Sequence, residues 1–351
     1  MILLPGVDCM NRPRLRDVAD QAGVSIATAS LVLNGKGRIS DNVKKKVVET
    51  AKTLGYKNNL YVPHTLRYKI RPLGMLLLDD FSKTFEWHFV RYIITHIEKV
   101  ISEKRYYPVL IPVQYESDTK RIMSEILTTK VKGLFSIHYT NSELFTRLEE
   151  LGIPVVLVNN SDYQRDFFTV CTDDFQGAYE GTLHLLQLGH RDIVHVKYIL
   201  PEISTFLTDS TIGFQKALDE YGIRQSENRI LTVDLYDHDD LERKIQQLFQ
   251  NNESVSAIYA LDDYLAAKII AALKKLSIRV PEDVSIIAAG DTLNYIDPFI
   301  PKISTMQVDI DALGSLSGDL MLKRLHSMTK GIQVIKIKQQ IVDRGSCSKR
   351  T

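Results

Sequence analysis

The side chains able to do covalent or metal chemistry are scattered along this chain. It carries nine histidines, and His184 and His190 stand six apart, a spacing that does not place two imidazoles on one helix face. Asp239-Asp240 and Asp262-Asp263 are adjacent pairs. Carboxylates next to each other in sequence do not flank a substrate as a general acid and base must. Three cysteines, Cys9, Cys171 and Cys347, lie far apart, so neither a disulfide framework nor a zinc knuckle is expected. There is no G-x-x-x-x-G-K-[ST] loop, no G-x-G-x-x-G after a strand, no G-x-S-x-G elbow and no H-E-x-x-H. The expectation is a protein that is not an enzyme and that holds neither cofactor nor metal.

The chemistry that remains is ionic. Residues 1–71 hold 13 Lys/Arg against 5 Asp/Glu, a net +8, and the other 280 hold 31 against 38, a net −7. A basic head on an acidic body suggests a polyanion-binding module joined to something that does not bind polyanions, although a charge run can also be a solvated face.

The elements that would position those charges are legible. Leu15, Val18, Ala19 and Ala22 recur at helical spacing until Gly23-Val24 breaks the pattern. Ser25 is a good N-cap for a second helix whose Ala29, Val32 and Leu33 can pack inward. A third helix is expected from Ser40 or Asp41 to Leu54, with Val43, Val47, Ala51 and Leu54 inward, Lys44, Lys45 and Lys46 near its start, and Gly55 ending it. Two short helices joined by a glycine-containing turn read as a helix-turn-helix, and the same residues also fit a small helical bundle that binds nothing.

From Arg71-Pro72 onward short apolar runs alternate with amphipathic stretches. The runs are 73–78, 109–113, 133–137, 155–158, 193–196, 230–233, 257–260, 284–289 and 335–341, and the clearest helices are 89–102, 241–249 and 265–276. Alternation of this kind implies parallel sheets covered on both faces. Nine strands exceed one comfortable sheet, so an α/β body of two lobes with a cleft is expected, its ligand outside the carboxyl ends of the strands. At 351 residues, with 44% hydrophobic and 25% charged, the chain can bury large cores, and it has no run long enough to cross a bilayer. Its first residues are too short and uncharged for a signal peptide, so a cytoplasmic location is expected.

The stretch LRDVADQAGVSIATASLVLN, from Leu15 to Asn34, resembles the DNA-binding head of the lactose/galactose-repressor family, whose pattern is roughly I-K-D-V-A-x-x-A-G-V-S-x-A-T-V-S-R-V-L-N. The likeness continues through Ile39-Ser40 and Leu54-Gly55-Tyr56. It resumes in the body at Gly152-Ile153-Pro154, 171–178, 184–191, Gly213-Phe214, 261–266, 280–285 and 342–346. The resemblance implies a small all-α helix-turn-helix head and a two-lobed, periplasmic-binding-protein-like body that senses a small molecule, sugar-like or another metabolite, and forms a homodimer. The dimer would read a near-palindromic operator with the second helix of each head in the major groove. The boundaries implied are an extension over 1–9, expected to be disordered, a head over 10–57, a hinge over 58–71 and a body over 72–351. The first lobe would take 72–172 and 306–330, the second 173–305 and 331–351. A small-molecule binding protein with no DNA role is the alternative.

Carried over by position, Ile26, Ala27 and Leu31 would face base edges, while Ser25, Thr28, Ser30 and Asn34 suit phosphates. Leu15 and Tyr56 would join the interface, and Leu66 of the hinge would wedge into the minor groove. Pro63 lies inside that hinge, and Leu66 stands one residue further from Tyr56 than the family spacing. Leu31 replaces the family's usual arginine. It either meets a thymine methyl or points inward and reads nothing. In the body, Asp263 would face the effector or cap a helix. Asp291 would face the effector beside Gly290, which replaces a family aspartate, and Ser210 stands where the family carries a ligand-binding arginine. Phe81 and Trp87 would form an aromatic wall or join the core.

Overall fold

A computed structural model describes residues 13–33, 37, 39–54, 56, 71–78, 87–114, 118–199, 204–224, 229–234, 237–251, 254–328 and 331–350. The extension over 1–9, Asn34, Gly55, the hinge with Pro63 and Leu66, and Phe81 lie outside the described residues. The chain divides into two compact units, Met1–Arg71 and Pro72–Thr351.

The head contains helices α1 (Leu15–Ala22), α2 (Ile26–Leu33) and α3 (Asp41–Thr53). Helix α1 starts where Asp17 reaches back to accept the Arg14 N–H at 2.6 Å. It stops at Gly23, whose φ of 64° lets Val24 N–H return to the Ala19 carbonyl. Ser25 Oγ accepts the Thr28 N–H at 3.0 Å and opens α2. Val18, Ala19, Ala22, Ala29, Val32, Leu33, Val47 and Ala51 make the core, and four of these eight are alanines, which let three short helices approach closely.

The body contains two six-stranded sheets. The first has the order β11-β5-β4-β3-β1-β2, from β1 (Arg71–Leu78), β2 (Tyr106–Val113), β3 (Leu134–Ile137), β4 (Val155–Val158), β5 (Phe168–Thr172) and β11 (Val334–Ile337). The pairings β1–β3, β3–β4, β4–β5 and β5–β11 are parallel. The second has the order β12-β10-β9-β8-β6-β7, from β6 (Ile193–Ile199), β7 (Ile230–Asp234), β8 (Ala257–Ala260), β9 (Ser285–Ala289), β10 (Ser304–Gln307) and β12 (Gln340–Val342). Its strands are parallel except that β12 runs antiparallel to β10. The strand expected over 335–341 is two strands in two sheets. Residues 334–337 pair with β5, so the first lobe extends past 331, the start expected for the last part of the second lobe. β5 and β10 were not expected as strands. Their sequences, FTVCT and STMQ, bury threonines and a serine instead of an apolar run.

The chain crosses between lobes three times, at Asp173, at Val308-Asp309 and at Lys338-Gln339. Helices cover each sheet. Helix Ile310–Leu325 packs against helix Trp87–Glu103 through Gly314, where a Cβ would stand 2.5 Å from His96 Cβ. Helix Thr205–Glu220 closes on Asp174–Gln187 in the same way at Gly213, where a Cβ would sit 2.2 Å from the Phe175 carbonyl oxygen.

Candidate nucleic-acid interface and effector cleft

On α2 the buried residues are Ala29, Val32 and Leu33, so Ile26, Ala27, Ser30 and Leu31 fall on the outward side. Ile26 is 48% exposed and Leu31 41% exposed. Leu31 is therefore no core residue of the head. Ser25 and Thr28 share a hydroxyl–hydroxyl bond of 2.8 Å at the start of the helix, which fixes both at its N-terminus. Leu15 and Tyr56 are half-buried against the head's core, so each shows only part of its surface. Lys44 pairs with Asp41 at 3.0 Å, and Lys45 and Lys46 are exposed on α3. Two exposed large aliphatics with hydroxyls on the same helix, together with the exposed lysines of α3, suit the methyl and phosphate chemistry of a duplex groove.

In the body, the three candidate effector residues that the structure describes are all engaged internally. Asp263 is fully buried. Its Oδ2 accepts from Thr292 N (2.7 Å), Leu293 N (2.9 Å) and the Tyr295 hydroxyl (3.0 Å), and its Oδ1 accepts from Thr292 Oγ1 at 2.7 Å. The helix cap is its neighbour Asp262, which accepts the Leu265 N–H at 2.6 Å and whose burial pushes its carboxyl up to about 7. Asp291 pairs with Arg344 at 2.7 Å and accepts from Thr305 Oγ1 and Gln307 Nε2. The Arg344 guanidinium lies 3.9 Å over the Tyr295 ring, which joins the two aspartates into one network.

Ser210 is buried, and its hydroxyl meets His195 Nε2 at 3.2 Å. His195, packed between Phe214 and Tyr259, bonds the Tyr259 carbonyl through Nδ1, and burial lowers its pKa to about 4. The serine that stands for the family's arginine thus serves the interior of the second lobe. Trp87 begins its helix, and its side chain lies outside the described residues.

Side chains that the sequence reading did not single out join the lobes. Asp162, from the loop after β4, accepts the Thr205 N–H at 2.6 Å and so caps a helix of the other lobe. Lys336 of β11 pairs with Asp209 of that helix at 3.1 Å. At the first crossing Asp174 accepts from Thr172 Oγ1 at 2.7 Å, and burial, with Asp209 nearby, pushes its carboxyl up to about 7. His138 and Asn159, at the carboxyl ends of β3 and β4, hold φ values of 60° and 52°. Asn and His enter that left-handed region more readily than most residues, and here each ends a strand. The only sequence signal for Arg344 was its place in the 342–346 match, and none pointed to Asp162 or Lys336.

Among the described residues no cluster of His, Cys, Asp or Glu could hold a metal ion, and no helix is long and apolar enough to cross a membrane.

The family model described as bacterial regulatory proteins, lacI family, matches residues 14–59, and a periplasmic binding protein-like domain matches 182–347. The chain is 27% identical over 336 residues to the HTH-type transcriptional regulator RegA of Clostridium saccharobutylicum, covering 95% of this chain and 98% of that protein. It is 27% identical over 341 residues to the HTH-type transcriptional repressor PurR of Escherichia fergusonii, covering 95% and 96%. Its fold matches a lac repressor dimer bound to operator and an anti-inducer with a TM-score of 0.70 at 21% identity, over 96% of this chain and all of that one.

Proposed function

Because the chain belongs to the lacI family of bacterial regulatory proteins, we propose that it represses transcription as a homodimer on a near-palindromic operator, under control of a small molecule held between its lobes. It is a DNA-binding transcriptional regulator and not an enzyme. The observation that carries the DNA reading is α2, which turns Ile26, Ala27 and Leu31 outward from the head while Ser25 and Thr28 stand at its start. Two such heads would place these residues over the two halves of the operator, with the lysines of α3 adding to the charge that meets phosphates.

Two similar structures are a complex of the transcriptional regulator CelR with cellobiose and a LacI family transcriptional regulator from Enterococcus faecium with bound ribose. A hydroxylated metabolite is the effector class these likenesses favour. Asp263 and Asp291 act on it from behind, by holding the 291–295 loop, since their acceptor oxygens are already bonded. Direct contacts would come from the strand ends that face the cleft, among them His138 and Asn159.

Selection of binding sites from random duplexes by the full chain tests this reading. A near-palindromic consensus is expected. Affinity for it should fall by about 10³–10⁵ between 50 and 200 mM salt if about 6–10 phosphates are contacted. An asymmetric consensus, or an affinity indifferent to salt, would overturn the dimeric operator reading.

A further inference from the structure

A groove of about 190 Å3 lies on the second lobe, between helix Asp174–Gln187 and strand β12, beside the third chain crossing. Gln339, at that crossing, is 4% exposed and lines it. The orientation of its amide is fixed by two acceptors, since Nε2 donates to the Asp173 carbonyl and to Asp174 Oδ1, each at 3.4 Å. Turning the amide over would set its oxygen against two other oxygens. The remaining atom, Oε1, is buried and has no hydrogen-bond partner. A second buried atom of the lining, His184 Nε2, also has none. Native proteins rarely leave such atoms unmet, and two in the wall of one groove mark a place where something binds.

The chemistry of the lining selects the ligand. Burial lowers the pKa of His184, so at neutral pH the ring carries no charge and its bare nitrogen can accept. Glu180 is exposed on the rim, Asp343 lies close enough to act on His184, and no lysine or arginine lines the groove. The lining thus offers a carbonyl oxygen, an imidazole nitrogen and a carboxylate, and it includes no lysine or arginine. At about 30 Å3 per water, the space equals about six waters, which suits a short aliphatic chain rather than a ring system.

We propose that this groove is a second ligand site, separate from the interlobe cleft, and that it takes a small aliphatic ammonium compound. The ammonium passes the exposed Gln187 side chain and donates to Gln339 Oε1 and His184 Nε2, with Glu180 supplying the countercharge. Gln339 also links two crossings, because its N–H donates to Gln176 Oε1 at 2.8 Å and its carbonyl accepts from Gln176 Nε2 at 3.1 Å. Occupancy therefore bears on the segment that joins the two lobes, independently of what fills the cleft.

Calorimetric titration of the full chain with 1,4-diaminobutane tests the site, with 1,4-butanediol as the uncharged control. Saturable binding of the diamine is expected, with the diol at least about tenfold weaker. Glu180→Gln should weaken the diamine by about tenfold, the factor worth about 1.4 kcal/mol. Ile341→Trp, at a 44% exposed position on the wall, should fill the groove and remove binding. Circular dichroism checks its fold, and Gln187→Trp replaces it if that fold is lost. No saturable binding, equal binding of the diol, or diamine binding unchanged in the groove-filled variant would each overturn the proposal. So would a crystal structure grown with the diamine in which Gln339 Oε1 and His184 Nε2 meet only water. None of these outcomes depends on operator binding, so failure here leaves the DNA reading untouched.

Discussion

Replacing Asp263 separates a ligand contact from an internal anchor. Its carboxylate is fully buried and receives four hydrogen bonds, three on Oδ2 and one on Oδ1. Asp263→Ala strands two backbone N–H groups and a tyrosine hydroxyl, while Thr292 Oγ1 can rotate toward another acceptor. Each stranded buried donor costs about 1–3 kcal/mol, and the set should total about 3–5 kcal/mol because the loop relaxes in part. Asp263→Asn differs. Its carbonyl can take the Oδ2 position and keep three donors, and its NH2 can meet Thr292 Oγ1 as an acceptor. Only the charge assistance is lost, about 1–2 kcal/mol. In a body of this size 1 kcal/mol moves the melting temperature by about 2–4 °C. The alanine variant should therefore melt about 6–20 °C lower and the asparagine variant about 2–8 °C lower, as read by differential scanning calorimetry of the full chain. An alanine variant that melts with the parent while losing its response to an effector would refute the anchoring argument and return Asp263 to the ligand.

Other consequences are equally open to measurement. Leu31→Arg should move one position of each operator half-site toward guanine by about 1–3 kcal/mol in site selection, with the preferences set by Ile26 and Ala27 unchanged. A lowered melting temperature with the same consensus would show that Leu31 packs rather than reads. Asp162→Ala removes a cap supplied across the lobes and should cost about 1 kcal/mol in urea unfolding, and no loss would mean that the contact is idle. His195 is neutral in the fold until about pH 4, whereas the unfolded chain protonates it near its usual 6.5. The unfolded state thus binds more protons between those values, so stability should fall as pH drops from 6.5 toward 4, and His195→Gln should flatten that part of the profile. An identical slope in the variant would rule His195 out as the source.

Local rules carried a good part of the structure. The head's three helices follow from the i, i+3, i+4 recurrence of small apolar residues and from the stop at Gly23, because a helix in so short a module must turn one face inward. Nine apolar runs gave the α/β character for a similar reason, since strands covered on both faces have no polar side to show. Those rules fail where burial is achieved by other means. β5 and β10 bury Thr169, Thr172, Ser304 and Thr305 by bonding their hydroxyls, so neither shows the unbroken apolar run that marks the other interior strands. The run 335–341 looks continuous because both of its halves are extended, and only the pairing partners divide it between sheets.

The site divides along the same line. Which residues lie outward on α2 was written in the spacing of Ala29, Val32 and Leu33, because in a helix the inward positions fix the outward ones. What Asp263, Asp291 and Ser210 do was not, because each is defined by a partner from another part of the chain. Asp263 meets residues 29 to 32 positions away, Asp291 meets Arg344, and Ser210 meets His195 across a helix–strand layer. A carboxylate in a motif looks the same whether its oxygens await a ligand or are already bonded. Only the tertiary structure, which brings the donors within 3 Å of it, decides between the two.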